Sequence, residues 1–174
     1  MLIWAGAGIA VKEALMLFNP LTLIVLRFTI AVMLMLCVGL IFRRNEILGL
    51  QRAENKFRSI SNKYTPLQDT CKGVFICLIA KSPHDLVKEG DALHHCVGRM
   101  NYDQKFIREE TLIFFIRSKD APDIPLATIE YSLEKKKVLQ CYGDNDTKPC
   151  AELEDYVYKK WLPYANRKLK KIAA

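Results

Sequence analysis

Two long apolar runs open the chain, and the residues after them follow a different pattern. The runs cover Leu2–Phe18 and Leu21–Phe42, with the dipeptide Asn19-Pro20 between them. Each run is close to the length of a helix that crosses the hydrocarbon core of a bilayer, about 20 residues. Because Asn-Pro is a turn signal, the pattern predicts a transmembrane helical hairpin over residues 1–44.

Basic residues set the expected orientation of this hairpin. Arg43 and Arg44 follow the second run directly, whereas the Asn19-Pro20 turn carries no basic residue. Since Lys and Arg favour the cytoplasmic side, we expect both ends of the hairpin in the cytoplasm. The sequence therefore predicts an inner (cell) membrane protein that contacts lipid through residues 2–42 and carries its C-terminal domain in the cytoplasm. A hairpin buried in a soluble core is the alternative.

After Phe42 the pattern becomes that of a soluble domain. Residues 45–70 are charged, with apolar residues at loose helical spacing, which predicts a helical connector. Short apolar or alternating runs then predict four strands, at Val74–Ala80, Thr111–Arg117, Leu126–Ser132 and Lys137–Tyr142. Because the last three are joined by short connections, we expect them to pair antiparallel.

Two helices are predicted from their end signals. The segment Ser82–Asp85 has the serine, proline and aspartate of a capped helix start. This helix is expected to run toward Cys96, with Gly98 just past its end. The second helix is predicted over Pro149–Leu162, and Pro163 is expected to interrupt it.

These elements together predict an α+β fold, in which a small antiparallel sheet carries packing helices on one face. This domain would occupy residues 71–174, after the connector 45–70 and the hairpin 1–44. The composition agrees, because 32 of the first 42 residues are apolar and three are charged, whereas residues 51–174 carry +5 of the net charge of +7. A hydrophobic content of 51% also excludes whole-chain disorder.

Two basic segments bear on the partners of the domain. They are Lys135–Lys137 and Arg167–Lys171. Such clusters bind nucleic-acid phosphates or the anionic inner leaflet, and the alternative is a solvated turn and tail.

Candidate chemistry is concentrated where two of the three histidines stand beside a cysteine. His95 and Cys96 could form a nucleophile pair. A metal site would combine His94 or His95 with Cys96 and a distant Cys141 or Cys150. The third interpretation gives these side chains a structural role or a non-covalent binding site. The residues favour this third interpretation over a metal centre, and any cofactor stays unknown.

Five motifs in order resemble the PcfJ-like domain family of conjugative plasmids and related mobile elements, over roughly residues 70–165. They are Glu89-Gly90-x-x-Leu93-x-His95-Cys96-Val97-Gly98 with Tyr102, Ile113-x-x-x-Arg117, Pro125-x-x-Thr128-Ile129-Glu130, Gln140-x-x-Gly143-x-Asn145, and Trp161. The resemblance implies a membrane-tethered accessory protein of such an element, which binds nucleic acid or a transfer partner such as a conjugation protein. It implies no particular reaction, so enzymatic activity is left open.

A site follows if the motif residues converge on one pocket. The candidate catalytic residues are His95, Cys96 and Glu130, with His95 or Glu130 as general base. The candidate binding residues are Arg99, Tyr102, Arg117, Thr128, Gln140 and Asn145. In this hypothesis Arg117 holds an anion such as phosphate, and the protein is a hydrolase or nuclease. The other interpretation is that Thr128, Glu130 and Gln140 form the solvated side of the sheet.

The apolar hairpin carries a resemblance of its own. Trp4-Ala5-Gly6, Asn19-Pro20-Leu21-Thr22-Leu23 and Leu26-Arg27-Phe28 are similar to the first two helices of the EamA drug/metabolite transporters, over about residues 1–45. Members of that family have many more helices than the two predicted here. The resemblance therefore implies a transporter fragment, or a chimera of two pieces without a joint function.

Overall fold

A long helix, α1, spans Pro20–Tyr64 in the computed structural model, which describes residues 19–70 and 73–172. The helix begins at the predicted turn, where the Leu21 N–H donates to the Asn19 side chain at 3.2 Å. The first apolar run, Leu2–Phe18, lies outside the described residues, so the hairpin stays a prediction. α1 itself is long and apolar enough to cross a membrane by length and composition, with a mean hydropathy of 2.6 over its most apolar window.

The two halves of α1 differ in the burial of their apolar side chains. Wherever they are described, the large apolar side chains from Leu21 to Phe42 are exposed. Further along the helix Phe57, Ile60 and Tyr64 are buried, and a 3₁₀ turn follows. The chain divides into two compact units between Leu50 and Gln51. The predicted connector is therefore helical, and its second half contributes core side chains to the second unit.

The second unit is built on one antiparallel sheet. Its strands are β1 (Phe75–Ile79), β2 (Thr111–Ser118), β3 (Pro125–Ser132) and β4 (Lys137–Tyr142), in the order β1-β2-β3-β4. All neighbours pair antiparallel. The α+β class, the strands and their direction are thus confirmed, with bounds that differ from the prediction by a residue or two.

The helix α2 spans Pro83–Ala92 and starts with the predicted capping box. The Asp85 N–H donates to Ser82 Oγ at 3.2 Å, and the Ser82 N–H donates to Asp85 Oδ2 at 3.0 Å. The expectation that this helix reaches Cys96 was wrong. His94 has a left-handed φ of 50°, which ends the helical path, and a separate 3₁₀ turn then covers Cys96–Gly98.

Helices cover both faces of the sheet, and the prediction of one covered face was wrong. On one face Trp161 packs edge-on against Phe114 and Tyr131, with ring centroids 4.8 and 5.8 Å away. On the other face α2 contacts β2 and β3 through Glu89. The physical reason lies in β2, where seven of the eight residues are buried. A strand that is apolar on both sides needs cover on both sides.

The helical segment after the sheet continues through the proline that was expected to interrupt it. It consists of α4 (Ala151–Asp155), a π-helical stretch over Tyr156–Trp161, and α5 (Leu162–Ile172). A separate short helix, α3, spans Tyr102–Ile107 before β2. A proline lacks the N–H that a helix interior requires. Here Pro163 is the second residue of α5, just after the π-helical stretch has changed the hydrogen-bond pattern.

Candidate functional site

A pocket opens on the α2 side of the sheet, and it collects six of the nine predicted site residues. Its lining residues are His95, Cys96, Val97, Tyr102, Ile113, Thr128, Glu130, Gln140, Tyr142 and Asp146. A second depression, beside the first, shares His95, Cys96 and Asp146 with it. Of the four residues whose convergence the functional hypothesis needs, His95, Glu130 and Gln140 line this pocket and Arg117 does not. Cys96 lines the pocket as well.

The register of the sheet brings the polar residues together. Glu130 stands opposite Gln140 across β3 and β4, and Thr128 stands opposite Tyr142. On the other side of β3, Glu130 is opposite Ile113 of β2. Because residues two apart on a strand share a face, all these side chains point toward the same layer.

The turn that carries His95 is held against α2 by close backbone contact. A Cβ on Gly98 would lie 2.7 Å from Val87 Cα, so that position accepts no side chain without a shift of the backbone. The His95 N–H donates to the Gly90 carbonyl at 3.0 Å. A Cβ on Gly90 would approach the His95 carbonyl to 2.9 Å. The two glycines thus fix the distance between α2 and the turn.

The loop after β4 closes over the same turn. The Asn145 N–H donates to the Leu93 carbonyl at 2.9 Å, and His94 Nδ1 lies 2.8 Å from Asp144 Oδ1. The hydrogen bond with His94 lowers the pKa of the Asp144 carboxyl below its ordinary value. This loop brings Asp146 to the pocket.

His95 is held by one ring nitrogen while the other has no partner. Its Nε2 lies 3.0 Å from Thr128 Oγ1. Its Nδ1 is buried and has no hydrogen-bond partner within the described residues. A buried polar atom without a partner costs on the order of 1–3 kcal/mol. Such atoms are rare in native structures, and those that occur are often found at sites with a catalytic or redox role.

A buried ion pair stands behind Thr128. The Thr128 hydroxyl donates to Glu89 Oε1 at 3.3 Å, and the Arg117 guanidinium binds both oxygens of Glu89, with Nη1 at 2.8 Å from Oε1. Exposure is 3% for Glu89 and 9% for Arg117. The Arg117 guanidinium is therefore engaged in the ion pair with Glu89 and does not line the pocket. The expectation that it holds an anion there does not agree with this geometry.

Glu130 is a buried acid inside the pocket, with 5% of its surface exposed. Lys105 Nζ lies 3.5 Å from its Oε1 and 4.7 Å from the centre of the Tyr102 ring. The Tyr102 hydroxyl donates to Gln140 Oε1 at 3.2 Å. Burial, and then the charge of Glu130, raise the pKa of Tyr102 to about 12, so this phenol stays a proton donor near neutral pH.

The polar stripe is not the solvated side of the sheet, so that interpretation was wrong. Thr128 is 7% exposed and Glu130 5%, whereas Gln140 alone of the three is exposed. The stripe faces the turn 95–97 and α3 instead of water.

Besides Arg117, two predicted binding residues lie outside the pocket. Arg99 is exposed and lies 3.6 Å from Asp91. Asn145 is exposed, takes a left-handed φ of 52°, and contributes its backbone to the loop contact. Among residues 19–70 and 73–172, no group of three His, Cys, Asp or Glu side chains could hold a metal ion. Cys96 has a free thiol.

Sequence reasoning gave no role to Glu89, Lys105, Tyr142 or Asp146. A signal for Glu89 existed, because this acid stands on the apolar face of α2 with Leu86 and Gly90, and all three are buried. A charged residue at a core position of an amphipathic helix indicates a buried ion pair. The other three have no comparable sequence signal.

The sequence pattern described as PcfJ-like protein matches residues 43–158, two thirds of the chain. The chain belongs to the PcfJ-like family. This match contains the whole pocket and begins after the apolar run, whose resemblance to the EamA transporters stays a prediction.

A relative supports the same assignment without describing an activity. This PcfJ-like chain is 29% identical over 102 residues to "Uncharacterized protein Lin1253/Lin1744" of Listeria innocua serovar 6a. The aligned part is 59% of this chain and 22% of the relative. The chain therefore spans about a fifth of the length of the relative. No solved structure matches.

Proposed function

We propose that the PcfJ-like domain is a hydrolase whose general base is His95. The observation that carries this proposal is the buried Nδ1 atom of His95, which has no hydrogen-bond partner within the described residues. An imidazole whose other nitrogen is fixed and whose Nδ1 is unpartnered is suited to accept a proton from water or a thiol.

The reaction needs a water molecule that reaches Nδ1 of His95 from the pocket. Because Nδ1 is buried in the structure, the side chains around it must move aside when substrate and water bind. His95 Nδ1 accepts a proton from this water as its oxygen forms a bond to the carbonyl carbon of the substrate. The bond from that carbon to the leaving group then breaks, and the proton passes from Nδ1 to the leaving group. In a variant of this chemistry Cys96, which also lines the pocket, gives its proton to His95 and forms a thioester with the carbonyl carbon as the leaving group departs with that proton. A water molecule then hydrolyses the thioester, which releases the acid and restores the Cys96 thiol.

The charges of the pocket favour an ester or amide over a phosphodiester. Its lining contains two acids, Glu130 and Asp146, and neither Lys nor Arg. Lys105, at 3.5 Å from Glu130, offsets the charge of one of these acids. Arg117, the expected phosphate ligand, is bound to Glu89. The lining therefore offers no cation of its own to a phosphodiester, and the carboxylate of Asp146 would repel one. We therefore place hydrolysis of a carbonyl substrate ahead of nuclease activity.

The test compares three variants of the full chain in detergent micelles against ester, amide and DNA substrates. His95→Gln is expected to lower the turnover of an ester or amide by about 100-fold or more, the usual contribution of a general base. His84→Gln is the matched control, because His84 is exposed on α2 outside the pocket. Cys96→Ser separates water attack from thiol attack. Full activity in His95→Gln would exclude the proposal.

We also propose membrane tethering and binding of nucleic acid or a transfer partner in a mobile or conjugative element. Two observations favour this role. The apolar side chains of α1 between Leu21 and Phe42 are exposed where described. On α5, Ala165 and Leu169 are buried while Arg167, Lys170 and Lys171 are exposed, which presents a basic face to phosphates.

The binding role is tested by the salt dependence of the affinity for a labelled DNA duplex. Replacement of Arg167, Lys170 and Lys171 by Gln is expected to reduce the logarithmic salt slope by up to about 3, near one unit per phosphate contact. The matched control replaces Lys81, Lys88 and Lys119 by Gln, three exposed lysines outside both basic segments. An unchanged slope in the α5 variant would remove that surface from the proposal.

A further inference from the structure

We infer that Thr128 and Glu89, held by Arg117, act as positioning residues that keep the proton of neutral His95 on Nε2. The inference rests on the proposed function, because it explains how Nδ1 becomes the base. It assigns a role to two buried residues that stand outside the pocket lining, Glu89 and Arg117. It is argued from the direction of each hydrogen bond in the chain Arg117–Glu89–Thr128–His95.

The first bond in this chain has a fixed direction. Arg117 carries only donors, and the Glu89 carboxylate that it binds carries only acceptors. Glu89 Oε1 lies 3.3 Å from Thr128 Oγ1. Because a charged acceptor forms the stronger bond, the single hydroxyl proton of Thr128 is directed to Glu89.

The direction of the second bond follows from the first. Once its proton is directed to Glu89, Thr128 Oγ1 offers only lone pairs to His95 Nε2, 3.0 Å away. His95 Nε2 must then be the donor. In the neutral imidazole the other nitrogen, Nδ1, is left with its lone pair, which is the form that accepts a proton.

The opposite arrangement is less favourable at Glu89. If the Thr128 hydroxyl donated to Nε2, Glu89 Oε1 would lose one of its donors. A buried charged group that loses a partner bears a larger desolvation penalty than a neutral one. Nδ1 has no partner within the described residues in either tautomer, so its burial does not separate the two. The observed contacts therefore select the Nε2-protonated tautomer.

Burial of the ion pair strengthens the contacts that favour the Nε2-protonated tautomer of His95. Glu89, Thr128 and Arg117 are 3%, 7% and 9% exposed. Arg117 Nη1 also donates to the Ile116 carbonyl at 3.1 Å, which fixes the guanidinium on β2. A charge-assisted, two-pronged contact of this kind holds the carboxylate in one orientation. The orientation of Glu89 then passes through Thr128 to the imidazole.

The test reads the tautomer directly, with no substrate present. The full chain, with ¹⁵N-labelled histidine in detergent micelles, is measured by long-range ¹H–¹⁵N correlation at alkaline pH, where an imidazole is neutral. The wild-type His95 is expected to carry its proton on Nε2. The exposed His84 serves as the internal reference for a ring with free choice of tautomer.

One pair of variants at Thr128 and a third variant at Glu89 isolate the chain of bonds. Thr128→Val removes the hydroxyl at constant shape and is expected to give a mixture of tautomers, whereas Thr128→Ser keeps the hydroxyl and restores the wild-type spectrum. Glu89→Gln supplies an amide donor in place of an acceptor. It is expected to turn the Thr128 hydroxyl toward His95 and move the proton to Nδ1.

The outcomes separate this inference from the proposed function. A wild-type His95 protonated on Nδ1, or a Thr128→Val spectrum identical to the wild type, would overturn the inference whatever the activity. If Glu89→Gln fails to fold, as loss of a buried ion-pair partner can cause, the two Thr128 variants still decide. An Nε2-protonated His95 in a protein without hydrolase activity would leave the inference standing and exclude the function.

Discussion

Gly98 shows how one missing side chain fixes the position of His95. The turn Cys96–Gly98 reaches α2 only because Gly98 has no Cβ, and His95 precedes this turn directly. A side chain at position 98 would destabilise the fold for steric reasons, because the backbone of the turn is packed closely against that of α2. One of the two segments would have to shift to make room for the added atoms.

Gly98→Ala is expected to lower the free energy of unfolding by about 1–3 kcal/mol, because the new Cβ would stand 2.7 Å from Val87 Cα. It should also reduce the turnover attributed to His95. Gly49→Ala is the matched control, since a Cβ there meets nothing within 4 Å. Denaturant unfolding measures the first effect, and a Gly98→Ala protein as stable as the wild type would contradict the packing argument.

The Glu109 carboxyl makes the stability of the domain depend on pH. Lys63 Nζ and the Tyr64 hydroxyl each donate to its Oε2 at 2.6 Å. The hydrogen bond from Lys63, and then that from Tyr64, lower the pKa of Glu109 below its ordinary value of 4.5. A carboxyl with a lowered folded-state pKa stabilises the fold above its unfolded value and loses this contribution as the pH falls through the folded value.

We therefore expect Glu109→Gln to reduce stability at neutral pH and to flatten the loss of stability below about pH 4.5. The neutral-pH effect is expected to be small, because the Glu109 side chain is 36% exposed and water screens the contact. Thermal unfolding at a series of pH values measures both effects. Glu110→Gln, on the adjacent carboxylate, is the control; equal acid curves for the two variants would refute the assignment.

At the scale of elements, the parts governed by local sequence were predictable and the parts governed by packing were not. The four strands and the Ser82 cap follow from alternation, apolar runs and capping chemistry. The end of α2 depends on His94 in a left-handed conformation and on the approach of Gly98 to Val87, which only the tertiary contact requires. The same holds for the site, where motif order indicated Thr128 and Glu130 but could not show Arg117 turned inward to Glu89.

Ser82 offers the corresponding test for an element. Ser82→Ala removes one of the two acceptors for the Asp85 N–H, the Ser82 Oγ, and keeps the Ser82 carbonyl at 3.1 Å. It is expected to cost up to about 1 kcal/mol of unfolding free energy, the usual value for a lost N-cap. Ser59→Ala, at an exposed position within α1, is the control. Denaturant midpoints compare the two, and equal midpoints would mean that the cap contributes nothing.

At the scale of the whole molecule, the chain joins an apolar helix to a domain that has its own core. The apolar length of α1 could be recognised from the sequence. The buried positions of Phe57, Ile60 and Tyr64 could not, because a charged helix with sparse apolar residues resembles a solvent-exposed connector. The division after Leu50 depends on these contacts rather than on composition.

Deletion of residues 1–45 is expected to leave a folded protein that needs no detergent, because the second unit keeps Phe57, Ile60 and Tyr64. Deletion of residues 1–64 is the matched comparison, and it removes these three core side chains and is expected to unfold the domain. Size-exclusion chromatography and near-ultraviolet circular dichroism measure both. An unfolded protein after the shorter deletion would assign the apolar residues to the core.

The order β1-β2-β3-β4 has a consequence for how the protein folds during its synthesis on the ribosome. The hairpins β2–β3 and β3–β4 pair strands that short loops connect, so this part of the sheet has low contact order and can pair as it emerges, whereas β1 pairs with β2 across α2 and α3. Its Phe114 face, however, is covered by Trp161, which is translated only after all four strands. A nascent chain halted before residue 151 would present an open aromatic surface, and this interval is when a chaperone would be needed most.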